Sequence, residues 1–236
     1  MQIQGLDAGG GIMTKTQNGN PHYIVPSAAD ASKALRFEAQ PILALSADKV
    51  VGYELLYRGE HPSVWSEVDA ALVRYLQVSR PHPQLFVNLS NQGLLDAKVE
   101  DLVQAAALNM VVFELSESVT EYAQRDRISE KVNTLIELGV RVAIDDFGAG
   151  RDSLERLYEL GPTAAVKIDR LFLQTCARRE DAASTLQHFV AQWRSAGIMS
   201  IAEGVENADL YEFARAVGCD SVQGWHIDSI LKDRHS

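Results

Sequence analysis

The sequence predicts an α/β fold: a TIM-like (β/α)8 barrel with an irregular, antiparallel first strand. Short apolar runs rich in β-branched residues recur from residue 36 onward, each ending in a polar residue and most followed by a longer segment of helical spacing. Roughly eight such runs occur, the number that a closed barrel uses. The length, 236 residues, is what a single barrel of this kind takes.

The first two strands, "PILAL" (41–45) and "VVGYELLYR" (50–58), are joined only by "SADK". So short a link suits an antiparallel pair better than a crossover. A helix is then expected over 66–79, followed by the strand "LFVNLS" (85–90) and one helix over "QGLLDAKVEDLVQAA" (92–106). The strand "VVFELSE" (111–117) precedes a helix over 125–139, in which Ile128, Val132, Leu135 and Ile136 share one face. The strand "VRVAIDD" (140–146), a helix over 151–161 and the strand "AAVKID" (164–169) continue the rhythm. A helix over 180–197, the strand "MSIAEG" (199–204), a helix over 208–218 and the strand "SVQGW" (221–225) complete it. Gly139, Gly161, Gly197 and Gly218 each stand where a helix should stop. Residues 1–34, rich in Gly, Asn, Gln and Thr, read as a mobile N-terminal tail with a candidate strand "HYIVP" inside it; residues 35–236 read as the barrel domain.

A net charge of −10 argues against binding to a nucleic-acid polymer or an anionic membrane surface. The stretch "AAALNMVVF" is far too short to span a bilayer, so no membrane span is expected. Cys176 and Cys219 lie far apart with no metal-ligand spacing, which points to a reducing compartment, the cytoplasm.

Polar chemistry gathers at the ends of the apolar runs: Asn88, Glu114, Asp145, Asp146, Lys167, Glu203 and Gln223. In a barrel those ends converge on one face, where active sites lie. Glu54 adds an acid inside a strand, where burial demands a partner. Asp145 and Asp146 are adjacent and followed by Gly148 and Gly150, which a surface turn explains equally well by itself. The convergence of the other strand ends shifts the reading toward a site. Several oxygen ligands with few histidines suit Mg²⁺ or Mn²⁺, and two such ions about 4 Å apart activate water against a phosphodiester. Lys167 would orient or help deprotonate that water, or offset phosphoryl charge. Salt bridges and helix caps around the rim are the simpler alternative, strongest for Glu117, Glu206 and Gln223. A glycosidase using Glu114 and Glu203 as its carboxylate pair is a further one. Gln40 and Arg58 carry almost no signal alone, and Trp225, just after Gln223, is the aromatic nearest the expected mouth.

The ordered segments "QPI", "GYELLYR", "FVNLS", "FELSES", "AIDDFGAG", "VKID", "AEGVE" and "GCDSVQGW" resemble the EAL family of cyclic-di-GMP phosphodiesterases, from about Phe37 to Ile227. The resemblance implies a barrel that opens cyclic-di-GMP to linear pGpG with two divalent cations, Mg²⁺ or Mn²⁺. It implies metal ligation by Glu54, Asn88, Glu114 and Asp145, with Asp146 and Glu203 serving the second ion and Asp145 shared. Glu54 and Lys167 would be catalytic, Lys167 near the nucleophilic water and Glu206 supporting that water. Gln223 would support the metal shell and, with Gln40, Leu56 and Arg58, contact the dinucleotide. Glu117, Phe147 and Gly148 match a loop linked to dimerisation and active-site ordering, so a homodimer and a regulatory protein partner are expected.

Departures from the family pattern accompany the match. The name motif reads "ELL", Ser116 replaces the usual Thr, and Gly161 is an extra residue. "QGW" runs into "HIDSILKD" without a proline, and the segment between Arg58 and Asn88 is distinctly short. Such a segment would leave the barrel wall open there, or covered by a partner or second copy. An inactive cyclic-di-GMP receptor or a protein-interaction module on the same fold is the alternative function.

Overall fold

The computed structural model describes residues 3–6, 12–15, 21–26, 34–60, 62, 64–78, 84–116, 122–150 and 153–233. Its strands are β1 (Ile3–Leu6), β2 (Ile12–Lys15), β3 (Pro21–Pro26), β4 (Ala34–Ala44), β5 (Lys49–Tyr57) and β6 (Leu85–Leu89). They continue with β7 (Val111–Ser116), β8 (Arg141–Phe147), β9 (Ala165–Ile168), β10 (Met199–Ala202) and β11 (Ser221–Val222). From β5 to β11 the strands run parallel in sequence order, and β4 closes the ring against both β5 and β11. Both β4 pairings are antiparallel, with Gln40 opposite Glu54 and Ala44 opposite Ser221. The expected eight-stranded barrel with an antiparallel first strand is therefore present. The turn joining β4 to β5 is closed by Asp48 N–H donating to the Ala44 carbonyl at 2.9 Å.

Within residues 1–34, the candidate strand "HYIVP" falls in β3. β1, β2 and β3 form an antiparallel extension of the sheet, and β3 pairs with the first half of β4, His22 opposite Glu38. The reason lies in β4. Its eleven residues outrun its barrel neighbour β11, which meets only Leu43 and Ala44, so the edge over residues 34–38 is open to β3. Alternation then buries Tyr23 and Val25.

Helix α1 (Trp65–Val78) is the single helix expected in the shortened segment. It packs against β3 and against α3 (Val99–Asn109), so the chain itself covers the wall at this point. The helix expected over 92–106 is two: α2 (Asn91–Asp96), capped by the Ser90 side chain, and α3, separated by extended backbone at Ala97 and Lys98. The remaining helices are α4 (Tyr122–Glu137), α5 (Ser153–Glu159), α6 (Arg170–Ala177), α7 (Glu180–Ser195), α8 (Ala208–Ala216) and α9 (Trp225–Asp233). Of these, α6 and α9 were not expected. The strand expected over 221–225 stops at Val222, because α9 begins at Trp225.

The apolar core has two parts. The larger fills the space between strands and helices. The smaller, Ile42, Phe86, Val112, Ala143, Ala165 and Ile201, plugs the barrel interior. These six come from β4, β6, β7, β8, β9 and β10, one per strand.

Candidate functional site

Two residues further toward the mouth, each of those strands presents a polar side chain. Alternation along a strand makes this second layer face inward like the first. It consists of Gln40, Asn88, Glu114, Asp145, Lys167 and, just past β10, Glu203, with Glu54 from β5 and Gln223 after β11.

Lys167 is at the centre, fully buried. Its Nζ lies 3.1 Å from Glu54 Oε2, 2.8 Å from Glu114 Oε1, 3.2 Å from Asp145 Oδ1 and 2.7 Å from Glu203 Oε1. Burial disfavours its charge, but Glu114, Glu203, Glu54 and Asp145 together outweigh that and hold its pKa well above the usual lysine value. Glu54 is further anchored by Asn88 Nδ2, which donates at 2.7 Å, and by Gln223 Nε2, which donates at 2.5 Å. Gln223 Nε2 also donates to Gln40 Oε1 at 2.9 Å. Burial raises the Glu54 pKa, and Lys167 with these hydrogen bonds more than reverses it, so the net direction is down.

The other acids go the opposite way. Burial, with the charges of Glu54 and Asp145, raises the Glu114 pKa well above its ordinary range despite Lys167. Glu203 is pushed up to about 8 by burial, with Asp145 and Glu54 adding to the effect and Lys167 opposing it. Asp146 is raised to about 6, first by burial and then by Asp145. One ammonium thus faces more carboxylate than it can neutralise. Among the described residues, both Glu114 carboxylate oxygens and Asp145 Oδ1 are buried without a well-directed hydrogen bond, close to Lys167 though they lie.

Such a set fits divalent cations. Asp145, Asp146 and Glu203 each bring a carboxylate oxygen within 4.8 Å of the others, the arrangement of a three-carboxylate cation site. Asp146 reaches it through left-handed backbone, φ 58°, and so turns toward the mouth where an extended residue would alternate away. The bend continues into Gly148, φ 97°, where a Cβ would overlap the Phe172 ring. Phe147, between them, is buried on the helix side of the wall. Its ring centroid lies 4.9 Å from that of Trp193 and 6.1 Å from those of Phe172 and Phe189.

Other expected residues stand apart from the Lys167 cluster. Arg58 is exposed at the end of β5 and pairs with Glu38, Nε to Oε2 at 2.9 Å. Glu206 is exposed on the rim and accepts from Arg170 Nη1 at 2.9 Å. Leu56 and Arg58 line a cavity of about 440 Å³ between β5 and α1, shared with Phe37, Tyr57, Trp65 and Asn88. Glu117 lies outside the described residues. The buried acid Asp69, hydrogen-bonded to Ser90, was missed by sequence reasoning. Its signal was available: an acid on the apolar face of α1, among Val68, Leu72 and Leu76.

A family model described as "EAL domain" matches residues 64–229, well over half of the chain. The chain belongs to the EAL domain family. The matched range starts beyond Gln40, Glu54, Leu56 and Arg58.

Among curated relatives, the cyclic di-GMP phosphodiesterase RocR of Pseudomonas aeruginosa is 28% identical over 89% of this chain and 62% of its own length. NbdA, a cyclic di-GMP phosphodiesterase of the same organism, is 30% identical over 81% of this chain and 28% of its own length. The chain thus spans less than two thirds of the length of these relatives. Among solved structures, the MucR phosphodiesterase in complex with c-di-GMP superposes with a TM-score of 0.60 at 27% identity, covering 80% of this chain and 89% of that one. The EAL domain of Mycobacterium smegmatis DcpA superposes with a TM-score of 0.63 at 24% identity, over 84% and 93%, and supports the fold.

Proposed function

We propose that this domain is a phosphodiesterase that hydrolyses cyclic-di-GMP to linear pGpG with two divalent cations, Mg²⁺ or Mn²⁺. The observation that carries the reading is the ring of Glu54, Glu114, Asp145 and Glu203 around Lys167, with Asp146 beside it. A module that only bound a ligand would have no use for so much concentrated acid at the mouth.

Glu54, Asn88, Glu114 and Asp145 would hold one cation, and Asp145, Asp146 and Glu203 the other. When bound, the cations supply a nucleophilic hydroxide and charge stabilisation on the phosphoryl oxygens. Lys167 stays protonated among its carboxylates, so it donates a hydrogen bond and positive charge and does not act as a base. Burial and the neighbouring carboxylates raise the pKa of Glu114 and push that of Glu203 up to about 8, and positive charge held among them would favour their ionised forms. Gln223 and Gln40 hold Glu54 in place, and Gln223 Oε1, buried and without a hydrogen-bond partner among the described residues, is left to accept from water or substrate. Arg58, engaged through Nε, has its terminal nitrogens for a phosphate oxygen. The cavity beside Leu56 and Arg58 is apolar enough to take a base. A homodimer and a regulatory partner acting through the loop after β8 belong to the same reading, with sizing chromatography as their first check.

Incubation with cyclic-di-GMP and Mn²⁺ or Mg²⁺, with products followed by chromatography, tests it. Linear pGpG that disappears with a chelator is the expected result. Binding without product would overturn the enzyme in favour of a cyclic-di-GMP receptor; neither would leave a protein-interaction module.

A further inference from the structure

Asp69 is the buried acid that the mechanism above does not use. Among the described residues its hydrogen-bond partner is Ser90: Asp69 Oδ2 accepts from Ser90 N–H at 3.1 Å and from the Ser90 hydroxyl at 2.5 Å. Burial drives its pKa up to about 6 against the pull of those two bonds, so the carboxyl is held here at a cost. Ser90 in turn accepts from Gly93 N–H at 3.0 Å and caps α2. Gly93 makes room for the arrangement, because a Cβ at that position would overlap Asp69 Oδ2.

This network ends two residues from the site. Asn88 lies between the buried Val87 and Leu89, and Ser90 follows at once. Asn88 itself is exposed to the mouth and donates through Nδ2 to Glu54 Oε1 at 2.7 Å, which leaves its Oδ1 as the atom a cation would take. Helix α1 therefore reaches across the top of β6 and clamps the backbone that aims Asn88.

We infer that Asp69 is a positioning residue: through Ser90 it sets the end of β6, and with it the placement of Asn88 against Glu54 and against a cation held there. The inference rests on the proposed reading only in taking Asn88 as a cation ligand. It gives the shortened segment between Arg58 and Asn88 a defined task, since α1 is the element that segment supplies.

The experiment is a titration of the whole chain with Mn²⁺ alone by calorimetry, alongside thermal melts. The proteins are wild type, Asp69→Ala, Asp69→Asn, Gly93→Ala, Asn88→Ala and the Asp69→Ala/Asn88→Ala double variant. Support for a metal ligand from behind its own hydrogen bonds changes metal affinity by roughly 10–100-fold, and one step further removed we expect about tenfold for Asp69→Ala. Gly93→Ala should show a similar loss by displacing the carboxylate, while Asp69→Asn, which keeps an acceptor oxygen, stays within about twofold of wild type. The double variant should bind no more weakly than Asn88→Ala alone, because Asp69 acts through Asn88. Losses that multiply in the double variant, or wild-type affinity in both Asp69→Ala and Gly93→Ala, overturn the inference. Should Asp69→Ala fail to fold, Asp69→Asn and Gly93→Ala decide the matter by the same affinities. Wild-type Mn²⁺ affinity in Asn88→Ala overturns the ligand assignment and this inference with it. Mn²⁺ binding with no hydrolysis of cyclic-di-GMP removes the enzymatic reading and leaves the positioning role standing.

Discussion

The barrel interior holds two layers built from the same strands, and they behave as opposites. Ile42, Phe86, Val112, Ala143, Ala165 and Ile201 form a dry plug. One inward position nearer the mouth, the same strands present Gln40, Asn88, Glu114, Asp145, Lys167 and Glu203. The backbone register is shared; only the side chains differ. The lower layer removes apolar surface from water and so stabilises the ring of strands. The upper layer concentrates like charge around one lysine, which costs stability and creates an affinity for cations. The barrel can carry the second because it has the first.

Breaking the upper layer should show the largest effect on chemistry. Glu54→Ala or Asp145→Ala is expected to lower turnover of cyclic-di-GMP by about a thousandfold or more, with the thermal melt of the cation-free protein kept. Wild-type-like rates in either variant would dismiss the cation assignment.

Lys167→Ala sharpens the contrast. Removing the cation that meets four carboxylates should destabilise the cation-free fold by about 3–5 kcal/mol, and Mn²⁺ should restore much of it. Its turnover should fall more than its affinity for cyclic-di-GMP; equal losses would assign Lys167 to binding.

In the lower layer, Phe86→Ala should cost about 3–5 kcal/mol in urea unfolding, which Mn²⁺ does not specifically repair. A Phe86→Ala protein whose loss Mn²⁺ reversed as fully as that of Lys167→Ala would erase the division between layers.

The smallest effect concerns the acid outside both layers. Asp69 has its folded pKa raised to about 6 by burial, against an ordinary carboxyl near 3.8. Its contribution to stability is complete below the unfolded value and is lost as pH rises through about 6. Unfolding midpoints compared at pH 4.5 and 7.5 should therefore show wild type losing ground to Asp69→Asn as pH rises. An unchanged difference would mean that Asp69 keeps its charge without penalty.

Much of this was legible beforehand, and for a plain reason. Apolar runs ending in Asn88, Glu114, Asp145, Lys167 and Glu203 announce both the strands and the face on which their ends meet. Local alternation encodes which side chains turn inward. Elements that depend on what lies alongside were harder to see. The strand "HYIVP" was legible by itself, but not its pairing with β2 on one side and with the open edge of β4 on the other, which buries Tyr23 and Val25. The break between α2 and α3 hinges on extended backbone at Ala97 and Lys98, which the continuous helical spacing of 92–106 conceals. That Arg58 pairs with Glu38 and Glu206 with Arg170 at the rim was likewise not legible, since each pair joins different elements.

By itself, then, the sequence determined the barrel, its antiparallel start and the acids at its mouth, because all three are properties of local period and of residue type at strand ends. Tertiary structure decided that Lys167 meets four of those acids at once, that α1 and β3 close the wall, and that Asp69 reaches Ser90. Each of these joins residues distant in the chain, and their separation in space is set by packing, which no local pattern records.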